Sequence, residues 1–191
     1  LPVLALRGLC VFPKMLTHFD VGRKSSMAAV EEALREDQQI FLVTQKDVET
    51  DHPKRNDLYT VGTVSIVKQV LRLPGENMRI LVEGQYRAEL LDIVQSEPYL
   101  FGRMQKLEEL PYNHSLPRVE ALLRQAHSQF EQFAELSGRN MQEALLRLLT
   151  SEDAGYTADF IGQDATFSYQ NKQQLLEQLR GLRQSVEVAR L

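Results

Sequence analysis

Apolar positions along this chain follow two different rhythms, and the change falls near residue 117. Before it, β-branched and aromatic residues gather in short runs: 2–6 (PVLAL), 39–45 (QIFLVTQ), 59–73 (YTVGTVSIVKQVLRL), 78–84 (MRILVEG), 86–95 (YRAELLDIVQ) and 100–109 (LFGRMQKLEE). Each run predicts a strand. The Pro-Gly turn chemistry of LPGEN, 73–77, predicts a hairpin between two of them. One helix interrupts the strands over 25–37, with Ser25 or Ser26 as its expected cap and Met27, Val30 and Leu34 as its expected buried stripe. Several strands with a single helix predict a curved sheet closing into a small barrel.

After residue 117 the spacing turns helical. Val119, Leu122, Leu123, Ala126, Phe130 and Phe133 predict a long helix from Pro117 to about Leu136, ended by Ser137-Gly138. Met141, Ala144, Leu145, Leu148 and Leu149 predict a second, and residues 150–153 a stop and restart. Further helices are expected over 153–162 and 171–190. In the last, Leu175, Leu179, Leu182, Val186 and Ala189 follow heptad-like spacing, with Gly181 a potential break.

Composition sharpens this boundary. All seven prolines lie at or before Pro117, and Val plus Ile fall from sixteen before residue 118 to four after it. The expected class is therefore α+β: a β-rich domain over 1–110, a linker over 111–117, and an all-α bundle over 118–191. The formal charge is −4, and cutting after Leu110 leaves each part with two more acidic than basic residues. Neither part has the basic excess that matches a phosphate backbone, so nucleic acid is not the expected partner. No run of eighteen apolar residues is present, so no membrane span is expected. The one cysteine, Cys10, excludes an internal disulfide, reads as a packed thiol and fits the reducing cytoplasm. The chain opens at Leu1-Pro2 without methionine and closes inside an amphipathic pattern, as a segment of something longer would.

Four stretches invite a chemical reading. Ser65 and Lys68 have Ser-x-x-Lys spacing, but on a strand residues three apart point to opposite faces, so no dyad is expected. VGRKSS, 21–26, resembles the end of a phosphate loop, yet Arg23 separates Gly22 from Lys24; a polar turn entering a helix is expected instead. In ETDHPKRND, 49–57, Asp51, His52 and Asp57 lack a second histidine or a cysteine, and the segment reads as a solvated loop. LCVFPKML, 9–16, is strongly apolar but interrupted by Pro13, which places Phe12, Pro13 and Met15 in a loop at one end of the barrel.

With these features laid out, residues 1–34 resemble the opening of the bacterial ATP-dependent Lon protease family. The resemblance rests on Leu-Pro then Leu-Arg, Phe-Pro and Val-Gly-Arg. Residues 57–90 resemble its second signature through Val-Gly-Thr and through Val-Glu-Gly with Arg-Ala, and NKQQLLE, 171–177, resembles a later segment. The resemblance implies a pseudo-barrel LON domain followed by a helical bundle, together serving as the substrate-recognition region. In the family these precede an ATPase module and a serine–lysine protease domain within a homo-hexamer that uses ATP and Mg. No catalytic, cofactor or metal residue is expected in the present residues. The expected partners are unfolded or damaged proteins. A free-standing LON-domain adaptor is the alternative, and a DNA-binding regulator a third reading that the charge disfavours. Because many unfolded chains share apolar side chains but no fixed hydrogen-bond geometry, contact is expected through apolar turn residues. Those are Phe12, Pro13 and Met15 in the first loop, with Leu73, Pro74 and Met78 around the hairpin.

Overall fold

The computed structural model describes residues 1–108, 116–138 and 141–178, and the chain divides into two compact units, Leu1–Leu107 and Glu108–Leu191. The first unit contains β1 (Pro2–Leu6), β2 (Leu16–Val21), α1 (Lys24–Arg35), β3 (Gln39–Thr44), a 3-10 turn at Arg55–Asp57, β4 (Val61–Leu73), β5 (Asn77–Gln95) and β6 (Leu100–Lys106). It is a β-rich domain with a helix.

The sheet runs β2-β5-β4-β3-β1-β6, and β6 pairs again with β5. Strands β1, β3, β4, β5 and β6 thereby close a barrel, which leaves β2 as the added strand beside the first half of β5. Only β1 and β3 are parallel, and the connection between them carries β2 and α1. Both of these strands are buried almost throughout, because alternate residues feed two cores. Leu4, Leu6, Ile40 and Leu42 join Val30, Met78, Ile80 and Val82 in the core containing α1. Val3, Ala5, Phe41 and Val43 join Leu58, Val64, Ala88 and Leu90 in the other.

Three expectations change here. The runs 78–84 and 86–95 form one strand, β5, in which Gln85 is an extra residue: Val64 pairs with Tyr86 and Ser65 with Gly84. Strand β2 has no counterpart among the predicted runs. Helix α1 starts at Arg23 with no side-chain cap, and its buried stripe is Ser26, Ala29, Val30 and Ala33. Met27 only borders the core, and Leu34 is 43% exposed.

The second unit holds α2 (Pro117–Ser137), α3 (Gln142–Leu149), α4 (Ala154–Asp164) and α5 (Tyr169–Glu177). Pro117 opens α2 where its missing N–H costs nothing, and Gly138 closes it in the left-handed region at φ 65°. Helix α2 packs on α3 and α4, and α4 on α5. Phe130 meets Phe160 edge-on at 6.1 Å across the α2–α4 contact. The restart at 150–153 is physical: the Asp153 carboxylate accepts from the amides of Gly155 (2.9 Å) and Tyr156 (3.2 Å). Of the heptad-like positions only Leu175 falls within the described residues, where it is fully buried. Leu179, Gly181, Leu182, Val186 and Ala189 lie outside them, as does most of the expected linker.

Candidate functional site

The first loop is not an exposed apolar surface. Phe12 is fully buried, Pro13 is buried and Met15 is 6% exposed. Backbone and side-chain bonds hold the loop against the sheet: Thr63 Oγ1 donates to the Val11 carbonyl (2.6 Å), Lys14 N to the Gly84 carbonyl (2.8 Å), and Gly84 N to the Met15 carbonyl (3.0 Å). Cys10 follows the same course. It is buried beside Thr44 Oγ1 at 3.2 Å, and since that hydroxyl donates to the Leu9 carbonyl, the thiol is the donor.

The hairpin half of the expected site divides. Met78 is buried in the α1 core, Leu73 is half-buried, and Pro74 is exposed at the turn. Gly75 and Glu76 take the positive φ values, 83° and 57°, that this turn requires. Leu73 and Pro74 therefore remain available for contact, while Phe12, Pro13, Met15 and Met78 serve the core.

The accessible apolar side chains nearby lie on the outward face of the β2–β5–β4 arm. Register fixes its rows: Leu16 opposite Glu83, His18 opposite Leu81 opposite Gln69, and Asp20 opposite Arg79 opposite Leu71. Leu16 (60% exposed), Leu81 (half-buried) and Leu71 (51% exposed) run diagonally across three strands and point toward Leu73 and Pro74. Diagonal neighbours of this kind are within reach of long side chains.

Ion pairs border the stripe. Arg79 donates to both Asp20 oxygens (2.6 and 2.9 Å), and Lys68 lies 2.7 Å from Glu83. These hydrogen bonds hold the Asp20 and Glu83 carboxyls below their ordinary values and raise Arg79. All are solvent-exposed, so they add little stability but keep the arm charged around its leucines.

The second unit has its own apolar recess, a cavity of about 520 Å³ bounded by Phe130, Phe133 and Leu136 of α2 with Ile161 and Phe167 beyond it. Leu136 stands 88% exposed at its edge.

No catalytic constellation accompanies these surfaces. Ser65 is fully buried, with its hydroxyl turned to the Thr63 carbonyl at 3.5 Å, whereas Lys68 is outside on Glu83. Asp51 is taken by Arg7 at 2.6 Å, and Asp57 accepts from the Lys54 amide at 2.8 Å. The segment 21–26 forms a turn into α1 in which the Arg23 side chain is spent on the Ala5 and Asp51 carbonyls. Burial lowers that guanidinium from its ordinary value.

Comparison with known proteins agrees with this architecture. The chain is 42% identical to the Lon protease of Heliobacterium modesticaldum over 179 residues, which is 94% of this chain and 22% of that protein. It is 40% identical to the Lon protease of Syntrophomonas wolfei over 177 residues, with 93% and 22% covered. The chain thus spans about a fifth of the length of the curated relatives it matches. Its fold matches the N-terminal domain of Mycobacterium avium complex Lon protease with a TM-score of 0.78 at 20% identity, covering 99% of this chain and 95% of that one. The Lon N-terminal domain protein from Xanthomonas campestris matches at 0.69 and 12%, covering 100% and 96%. Residues 1–190 match the family described as the ATP-dependent protease La (LON) substrate-binding domain, and the chain belongs to that family.

Proposed function

We propose that this chain is the N-terminal substrate-recognition region of an ATP-dependent serine protease that degrades misfolded and damaged proteins. The observation that carries the reading is the family match over residues 1–190, joined to relatives named Lon protease of which this chain corresponds to 22%. In this reading residues 1–110 form the LON domain, 111–117 the linker, and 118–191 a helical bundle leading toward an ATPase module. ATP and magnesium would be bound by that module, the Ser–Lys dyad by a protease domain, and the whole would assemble as a homo-hexamer in the cytoplasm.

The arm geometry supports a definite mode of contact. Leu16, Leu81 and Leu71, with Leu73 and Pro74 at the tip, offer several partial burials of about 1 kcal/mol each, which gives weak, reversible capture. Apolar contact is non-directional and indifferent to substrate sequence, and it survives high salt. The test is to titrate a reduced, carboxymethylated protein into the chain at low and high salt. The double replacement Leu16→Ser, Leu71→Ser should weaken binding at least about ten-fold without changing the thermal melt, since both residues are exposed. Undiminished affinity in the double variant, or binding by the parent chain that vanishes with salt, would move the contact elsewhere.

A further inference from the structure

A cavity of about 820 Å³ in the first unit, within the usual range for ligand pockets, opens where α1 begins. One side is apolar, formed by Val3, Ala5, Ile93, Pro98 and Leu100. The other is cationic, formed by Arg23 and Lys24 of α1 and by Lys54 and Arg55 of the 49–57 loop.

Three observations show a negative charge missing from it. First, α1 is twelve residues long, yet its N-terminus has no side-chain cap and no acid in its first turn, so its first amides and the positive end of its dipole are uncompensated. Second, the two arginines spend their printed bonds on neutral carbonyls: Arg23 on Ala5 and Asp51, Arg55 on Leu90 at 2.7 Å. The nearby Asp51 carboxylate is turned to Arg7. Third, Ser26 in the first turn lines the cavity, is only 7% exposed, and its hydroxyl has no hydrogen-bond partner among the described residues. A buried hydroxyl beside free helix amides is a donor waiting for an acceptor.

Resting on the substrate-recognition reading, we propose that this groove takes a short extended segment of a protein substrate that presents a carboxylate beside apolar side chains. The carboxylate would accept from Ser26 Oγ and the α1 amides, within the field of Lys24 and Lys54. Its apolar neighbours would lie on Ile93, Pro98 and Leu100. A bare inorganic anion would leave that apolar side uncovered, so the groove selects for an amphiphilic ligand. The carboxylate can come from a chain's C-terminus or from an internal Asp or Glu.

The test is fluorescence anisotropy with the 191-residue chain and a labelled hexapeptide of three Gly/Ser residues followed by Leu, Val and Phe. It is made with a free C-terminus, as the neutral amide, and as an amide with one internal Asp. The proposal expects at least one carboxylate peptide to bind about ten-fold more tightly than the neutral amide, the scale of one charge-assisted hydrogen bond. Preference for the free terminus assigns the α-carboxylate, and preference for the Asp peptide assigns an internal acid. Ser26→Asp, which supplies its own carboxylate, should abolish that preference while the melt holds or rises. Lys24→Glu with Lys54→Glu, both exposed, should abolish it without unfolding. Equal binding of the neutral amide, displacement by equimolar inorganic phosphate, or indifference to these variants would overturn it. If no peptide binds but a reduced, carboxymethylated protein does, the groove is wrong and substrate recognition stands. If neither binds, both fall.

Discussion

Gly84 is the point at which the first loop crosses β5, and alanine there should unseat it. A Cβ on Gly84 would press into the Phe12 carbonyl oxygen, with the carbonyl carbon at 2.9 Å and Pro13 Cα at 3.1 Å. These are backbone atoms, so no rotamer change relieves them, and comfortable contact at about 3.5–4.0 Å requires the loop to lift. Lifting strains the two hydrogen bonds between Gly84 and the loop, Lys14 N to Gly84 O and Gly84 N to Met15 O. Each is worth about 1 kcal/mol net, and overpacking adds about 1–3 kcal/mol. Alanine returns about 0.4–1 kcal/mol by restricting the unfolded chain. The net cost should be about 2–4 kcal/mol.

Because the chain has two units, a single melting curve does not isolate this loss. Hydrogen exchange read on peptides from β5 does, since it reports opening of that strand. Gln85→Ala is the control: Gln85 is exposed and unpaired in register, and should shift opening by no more than about 0.5 kcal/mol. If Gly84→Ala behaves like the control, the loop does not rest on β5 and its burial has another cause.

Further expectations follow from burial and charge. Phe12→Ala should destabilise the first unit by about 3–5 kcal/mol, read in urea unfolding, and so lower substrate binding only where folding is lost. Asp153→Ala removes the acceptor for two α4 amides and should cost about 1 kcal/mol, with Asp153→Asn losing less. His127 on α2 is partly buried, its Nε2 has no partner, and burial holds its pKa below 6.5 against the opposing pull of Glu131. The unfolded chain then binds the proton more readily, so stability of the second unit is full above pH 6.5 and falls as pH drops toward the lowered folded value. His127→Gln should flatten that slope in melts taken across the interval, and an unchanged slope would assign it to other groups.

How much of this was legible depends on what each signal requires. Strands β1, β3, β4 and β6 were readable because their runs are apolar or β-branched over most of their length. Strand β2, LTHFDV, was not, because an added strand with one face in solvent has only Thr17 and Val21 fully buried. The α1 stripe slipped because small residues line it: Ser26, Ala29 and Ala33 sit closest to the sheet, and a pattern weighted toward Met27 and Leu34 points to the wrong side. Burial of the first loop depends on Gly84, far along the chain, whose missing side chain leaves room for Phe12 and Pro13. Nothing local in LCVFPKML reports that room.

The candidate surface was hidden for a related reason. From the inward Val67, strict alternation puts Gln69 and Leu71 inward as well. Lys68, however, is an extra residue: Val67 pairs with Val82 and Gln69 with Leu81. That one insertion reverses the parity of everything after it, burying more of Val70 and turning Leu71 out to 51% exposure beside the ion pairs. The same insertion sets Lys68 on the outer face, within 2.7 Å of Glu83, while Ser65 stays sealed inside. A Ser-x-x-Lys spacing thus marks a structural device here. The bulge gives the lysine to the surface and brings Leu71 into line with Leu81 and Leu16 as a diagonal on which an unfolded chain can rest.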